Sequence, residues 1–263
     1  MTSHQPPLIA CVPVLKDNYA WLIIEPSDGS AVVVDPSESA PVIHAADALD
    51  VHLSAIWNTH HHHDHVGGNA GLCERYGPIP VHGSAIDGEL GRIPKQSVFH
   101  RDGDVVRLSG QEVLVLHVPG HTLGHLAYYV AGMLFIGDTL FGAGCGRLFE
   151  GTPEEMFSSL SRLREIPDDT LIYCAHEYTL ANLKFACTIL PDNEALKARL
   201  SATTSLMQPQ GGAPLARTVP LTLREEKQTN LFLRWDAPDV MRATGETDPV
   251  RVFAALRRRK DRF

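Results

Sequence analysis

Apolar residues over the first two thirds of the chain come in short runs broken by glycine, proline and aspartate, the texture of strands rather than of long helices. Ile9 to Val14 and Tyr19 to Ile24, joined at Lys16-Asp17-Asn18, predict a hairpin, and Ala31 to Val34 predicts a third strand ending at Asp35-Pro36. Pro41 to Leu49 carries its apolar residues at helical spacing, Leu53 to Trp57 predicts a strand, Ala70 to Tyr76 a helix, and Ile79 to His82 another short strand. Two strand-like runs lie between Ser97 and Val118, with turns predicted at Asp102-Gly103-Asp104 and Ser109-Gly110-Gln111. Met133 to Ile136 and Leu171 to Cys174 are the last strands. Between them Thr152-Pro153-Glu154-Glu155 has the form of a helix start, with Thr152 as cap, and the helix should run to about Arg164. Beyond residue 176 the spacing turns helical. Leu180 to Leu190 and Asn193 to Met207 read as helices, then comes a proline- and glycine-rich crossing from Gln208 to Pro220, and a final helix from Pro249 to Arg259 with a basic end.

One stretch departs from this texture. Thr59-His60-His61-His62-His63-Asp64-His65-Val66-Gly67-Gly68 follows the Leu53 to Trp57 strand and places imidazoles and a carboxylate side by side. Neutral imidazole with carboxylate suits zinc, iron or manganese, and one ion takes no more than three or four such ligands, so the segment asks for metal, and for more than one ion. At an extended strand end alternate residues share a face, which pairs His60 with His62 and turns His61 and His63 away. Asp64 and His65 come at the turn into Gly67-Gly68, where the backbone can aim them at a second point. Further candidates sit at strand ends: His121 in Pro119-Gly120-His121-Thr122, Asp138 in Gly137-Asp138-Thr139, and His176 after Cys174-Ala175. A carboxylate such as Asp138 can bridge two cations and offset their repulsion. Asp35 is read equally as a turn cap or as a support near the metal. His82, His117 and His125 read as structural.

Composition narrows the function classes. A chain of 263 residues with 44% hydrophobic content holds an ample core, and a net charge of -8 opposes general binding to nucleic acid or anionic membranes. Five widely spaced cysteines without a Cys-x-x-Cys pair read as free thiols in a reducing compartment. Met1 to Pro7 is polar, with no apolar signal core, and no run approaches membrane-spanning length, so a cytoplasmic protein is expected; no feature of the sequence encodes an oligomer, and a monomer is the expectation. A Gly-x-Ser-x-Gly elbow is absent, and Cys145, between two glycines, reads as packing in a tight loop rather than as a nucleophile.

Together Thr-His-His-His-His-Asp-His, Pro-Gly-His-Thr, Gly-Asp-Thr and the late strand-end histidine resemble the metallo-β-lactamase superfamily. Four further passages narrow the resemblance to the glyoxalase II (hydroxyacylglutathione hydrolase) family. They are Lys16-Asp17-Asn18-Tyr19, Gly144-Cys145-Gly146-Arg147-Leu148-Phe149-Glu150-Gly151-Thr152, Cys174-Ala175-His176-Glu177-Tyr178-Thr179 and Arg257-Arg258-Arg259-Lys260-Asp261. The resemblance implies an α+β fold, an αββα sandwich over residues 1–176 followed by a helical glutathione-binding domain over 177–263. It also implies one ion on His60, His62 and His121 and another on Asp64, His65 and His176, with Asp138 bridging and with Asp64 and Asp138 as the catalytic carboxylates. Glutathione contacts would fall on Arg147, Tyr178, Arg257 and Lys260. The expected reaction is hydrolysis of a glutathione thioester, S-D-lactoylglutathione above all, with zinc, iron or manganese as the two divalent ions. A mononuclear-iron persulfide dioxygenase of the same superfamily is the alternative, and the two-ion ligand set and the basic C-terminal helix count against it. A negatively charged protein that takes an anionic tripeptide must meet its carboxylates with a local basic face. Arg257 and Lys260, three apart, share one side of a helix.

Overall fold

A computed structural model describes residues 6–108, 110–208 and 216–263. They form two compact units, Met1–His117 with Gly124–Gly137, and Val118–Leu123 with Asp138–Phe263.

The first unit holds strands β1 (Leu8–Val14), β2 (Asn18–Ile24) and β3 (Ser30–Val34), helix α1 (Ser39–Ala48), β4 (His52–Trp57), the single-turn α2 (His63–Val66), α3 (Asn69–Tyr76), β5 (Val81–Ser84), α4 (Ala85–Glu89), and strands β6 (Val98–His100) to β10: β7 (Val105–Leu108), β8 (Gln111–His117), β9 (Leu126–Val130) and β10 (Met133–Gly137). β1 to β6 lie in sequence order in one sheet, antiparallel from β1 to β3 and parallel from β3 to β6. Every residue of β2 is buried, which is why it reads as an unbroken apolar run rather than an alternating one. Leu22, Val33, Ile56 and Val81 meet Val42 of α1 and Leu72 of α3 in the core. Truncating a fully buried leucine such as Leu72 to alanine costs roughly 2–5 kcal/mol. β7 to β10 form an antiparallel meander.

The second unit opens with a small hairpin of β11 (Leu140–Phe141) and β12 (Gly144–Cys145), followed by α5 (Pro153–Arg164) and β13 (Leu171–Cys174). Helices α6 (Thr179–Ile189) and α7 (Glu194–Leu206) pack together. Then come β14 (Leu221–Thr222), which pairs with β13, α8 (Leu223–Thr229), a 3-10 turn at Leu231–Leu233, α9 (Pro238–Thr244) and α10 (Pro249–Lys260). Thr152 and Glu155 make the reciprocal capping bonds expected at the start of α5.

Most predicted elements stand within two residues of their expected ends. Three strands, β6 to β8, stand where two runs are expected between Ser97 and Val118, and β9, β14, the β11/β12 hairpin, α2, α4, α8 and α9 have no counterpart among the expected elements. All but α8 and α9 are too short or too buried on both faces to show a period, and those two are seven-residue helices. The turn expected at Ser109-Gly110-Gln111 falls partly on Ser109, and the crossing from Gln208 to Pro220 partly on residues 209–215, outside the described residues.

Candidate metal centre

The histidine tract does not extend β4. The strand ends at Trp57, residues 58–62 follow as a loop, and His63 to Val66 make one helical turn with His62 at its N-cap. The loop is fixed from three sides, because the Asp35 amide donates to Trp57 O, the Asn58 amide to His82 O, and the Leu126 amide to Thr59 O at 2.7 Å. The expected pairing nonetheless holds. His60 Nε2 and His62 Nδ1 lie 3.0 Å apart, while His61 Nδ1 turns to Asp87 at 3.0 Å and His63 is exposed. Asp64 and His65 owe their placement to α2 rather than to a turn at the glycines. Gly67 and Gly68 instead let the backbone approach Ser37 and Pro36, since a Cβ would stand 2.5 and 2.6 Å from those carbonyls.

Asp35 takes the supporting role. It is 2% exposed, and its carboxylate accepts from the Thr59 amide and the Thr59 hydroxyl, each at 2.7 Å, and faces His65 Nδ1 at 2.9 Å. These bonds set tautomers. A carboxylate opposite Nδ1 requires that His65 carry its proton there, leaving the Nε2 lone pair toward Asp64 Oδ2, 3.6 Å away. Thr59 Oγ1 spends its proton on Asp35, so toward His60 Nδ1, at 3.1 Å, it can only accept. His60 thereby carries its proton on Nδ1 and offers Nε2. Asn18 donates to Asp64 Oδ2 at 3.0 Å, and the Ser37 hydroxyl to the Asp64 carbonyl. His125 is buried and stacks on His60 at 4.6 Å.

In the second unit the Asp138 carboxylate presents Oδ2 to His121 Nε2 and Oδ1 to His176 Nε2, each at 3.5 Å. The Arg147 carbonyl accepts from His121 Nδ1 at 2.7 Å, which leaves Nε2 of that ring as its donor atom. His176 is 4% exposed and stacks on Tyr178 at 4.6 Å and 7°. Gly120, at φ +148, lies against Met156, and Gly146 lies so close to the Asp138 carbonyl that a Cβ would meet it at 1.9 Å.

The fit to a metal can be judged from these spacings. Separations of 3.5 to 3.6 Å between imidazole nitrogen and carboxylate oxygen exceed good hydrogen bonds, yet they match the edge of a tetrahedron whose ligands stand ~2.1 Å from an ion. These histidine and aspartate groups can hold divalent metal.

The residues expected to meet glutathione differ in character. Arg147 is 57% exposed over its side chain, with its guanidinium 6.0 Å from the ring centre of Phe149. Arg257 is 6% exposed, and its Nε, Nη1 and Nη2 bond to Asp261 Oδ1 and to the Cys145 carbonyl, so it is held rather than free. Lys260 sits between the rings of Phe185 and Phe263, and burial and the Arg257 charge lower its pKa. Cys145 is buried and its thiol is pushed up to about 11, mainly by desolvation, which suits packing and not nucleophilic attack. His82 is buried too, with Nδ1 2.8 Å from His100 Nε2. The sequence reading gave no role to Asn18, Thr59 or His100. Asn18 opens β2 directly after the turn and is buried where the turn is not.

A family model described as the metallo-beta-lactamase superfamily matches residues 15–176, and one described as the hydroxyacylglutathione hydrolase C-terminus matches residues 177–263. A hydroxyacylglutathione hydrolase of Synechococcus sp. (strain JA-2-3B'a(2-13)) is 53% identical over 254 residues, covering 96% of this chain and 98% of the relative. Among solved structures, ETHE1 from Myxococcus xanthus superposes with a TM-score of 0.64 at 24% identity, covering 95% of this chain and 89% of that one. TTHA1623 in a di-iron-bound form gives 0.54 at 31% identity, covering 64% and 91%. The fold is the α+β metallo-beta-lactamase fold, followed by a helical C-terminal region. The chain belongs to the hydroxyacylglutathione hydrolase family of the metallo-beta-lactamase superfamily.

Proposed function

We propose that the chain hydrolyses the thioester of S-D-lactoylglutathione, and of related S-(2-hydroxyacyl)glutathiones, to glutathione and the free hydroxy acid, the second step of methylglyoxal detoxification. The reading is carried by histidine–carboxylate pairs at ligand spacing on a chain that matches hydroxyacylglutathione hydrolases over almost its whole length. The persulfide dioxygenase alternative is not favoured by relatives of such identity and name.

In this proposal residues 1–176 are the catalytic domain and residues 177–263 the glutathione-binding domain. His60, His62 and His121 would hold one divalent ion, Asp64, His65 and His176 a second, and Asp138 would give an oxygen to each. Zinc is the proposed occupant, and the same donors accept iron or manganese. Ions held there would supply a water whose pKa is lowered toward about 7 and a positive charge beside the thioester carbonyl.

The chain's own residues do the rest. Asp35 holds the His65 proton on Nδ1 and, through Thr59, that of His60, so both rings keep an Nε2 lone pair for a ligand. Asn18 orients the Asp64 carboxylate. Arg147 and Lys260 would take the carboxylates of the tripeptide as charge-assisted hydrogen bonds, Arg257 would add a fixed guanidinium, and Tyr178, stacked on His176, would add its hydroxyl. No side-chain nucleophile is required. Free thiols among the described residues suit a reducing, cytoplasmic compartment, and the chain is proposed to act there as a monomer.

Product analysis tests the reaction. Each thioester lost should yield one free thiol and one D-lactate without oxygen uptake; intact thioester in the presence of metal-loaded protein would refute it.

A further inference from the structure

The second unit contains a buried polar cluster, against the β11/β12 hairpin, that the proposed reaction does not use. Glu226 of α8 and Asn230 just beyond it are both fully buried. Glu226 Oε2 accepts from the Ala143 amide at 2.8 Å, and Oε1 accepts from Arg199, whose other nitrogen bonds Thr229. The Asn230 amide reaches the carbonyls of Phe141 at 3.2 Å and Gly144 at 2.9 Å, as well as Glu226 Oε2 at 3.0 Å. The bonds to Ala143, Phe141 and Gly144 end on one hairpin, β11/β12, whose Ala143 is held at φ +54, a left-handed conformation that a non-glycine residue keeps only when its surroundings fix it.

The hairpin is where the proposed ligands take their bearings. Its last residue leads into Gly146, which donates to Thr139 O at 3.3 Å and stands against the Asp138 carbonyl with no room for a Cβ. The next residue, Arg147, gives His121 the carbonyl that fixes its tautomer. A buried carboxylate is costly to keep in a protein interior, and one whose two oxygens face an arginine on one side and a loop amide on the other does more than neutralise the arginine.

We infer that Glu226 and Asn230 are positioning residues for the metal centre, fixing the Phe141–Gly146 hairpin so that the Arg147 carbonyl and the Gly146 backbone hold His121 and Asp138 in ligand geometry. This rests on the binuclear reading above. Neither residue touches substrate or ion; each acts through the hairpin backbone. Support of this indirect kind is worth ~10- to 100-fold in metal affinity where it has been removed from other sites.

The test uses the full, metal-loaded chain. Glu226→Gln is isosteric but puts an amide NH2 where one oxygen accepted from Ala143 or from Arg199. Metal transfer to a chelator should become at least ~10-fold faster, the visible spectrum of the cobalt-substituted protein should change, and kcat should fall ~10-fold with KM for S-D-lactoylglutathione within about 2-fold. Thr229→Val removes the bond on the far side of Arg199 and the one from the Thr229 hydroxyl to the Glu225 carbonyl, neither of which reaches the hairpin, so it should lower thermal stability and move none of these readouts. A folded Glu226→Gln protein with wild-type chelator kinetics, spectrum and kcat overturns the inference. If Glu226→Gln does not fold, Asn230→Ala is judged by the same readouts. For the wild-type chain, stripping the metal must raise hydrogen exchange at the Ala143 and Gly146 amides, since coupling between hairpin and ion is reciprocal; unchanged exchange overturns the inference independently of any variant. A wild-type chain that retains no metal would fail the binuclear reading itself, a result distinct from these.

Discussion

Replacing Asp35 with asparagine changes one atom and should disable two histidines at once. The shape of the side chain is kept, and Oδ1 still accepts from the Thr59 amide. An NH2 in place of Oδ2, however, now donates to His65 Nδ1 and Thr59 Oγ1, where a carboxylate oxygen accepted. His65 must then move its proton to Nε2. Thr59, released from Asp35, donates to His60 Nδ1 and drives that proton to Nε2 as well. Both rings would present N–H where a ligand needs a lone pair. Loss of an outer carboxylate costs ~10- to 100-fold in metal affinity, or ~1.4–2.7 kcal/mol. With two ligands affected, the upper end is expected. The apo-protein should lose only the difference between a charge-assisted and a neutral hydrogen bond, ~1 kcal/mol per bond. Competition with a chromophoric chelator measures the affinity, and denaturant unfolding of the apo-protein measures the stability. Asp35→Asn protein with a less stable fold and wild-type metal affinity would refute the tautomer argument, leaving Asp35 as a turn-stabilising residue only.

Asp138→Asn should lower metal content below the wild-type level by elemental analysis and reduce kcat ~100-fold, because an amide cannot offer two anionic oxygens to two cations; full metal and full rate would remove its bridging role. Arg147→Ala and Lys260→Ala should each raise KM about 3- to 10-fold in steady-state kinetics and leave kcat unchanged, the mark of uniform binding by solvent-screened charges worth ~1 kcal/mol. Burial and the neighbouring His100 lower His82 to about 4 from its ordinary 6.5, so between those values the unfolded chain binds a proton that the folded chain excludes. Stability should therefore be intact above pH 6.5 and fall by ~3 kcal/mol as the pH drops to about 4. His82→Gln should flatten that acid limb in urea unfolding, and an unchanged limb would refute the assignment.

The sequence made legible what is local. Seven ligand candidates could be taken from strand ends and from one histidine tract because first-row metals demand those side chains at close spacing, and the α5 cap was readable because its two partners lie three residues apart. The backbone at the tract was misjudged as a strand end because alternation in an extended chain and a loop entering one helical turn both bring His60 beside His62. Partners far apart in sequence were not legible. Nothing near Ala143 announces Glu226 eighty-three residues on, and nothing in the basic run at the C-terminus distinguishes Arg257, buried on Cys145, from the exposed Arg258 beside it. Asp35 was visible as a strand-end acid, but its choice between cap and support depended on Thr59 and His65, brought to it by the parallel pairing of β3 with β4.

A binuclear thioester hydrolase is tested most directly by two quantities on one sample: metal per chain by elemental analysis, and the rate of S-D-lactoylglutathione loss before and after chelation. Close to two divalent ions per chain, hydrolysis abolished by the chelator, and recovery when metal is returned are the expected results. Hydrolysis that survives complete removal of the metal, or no hydrolysis by a chain carrying both ions, would contradict that reading.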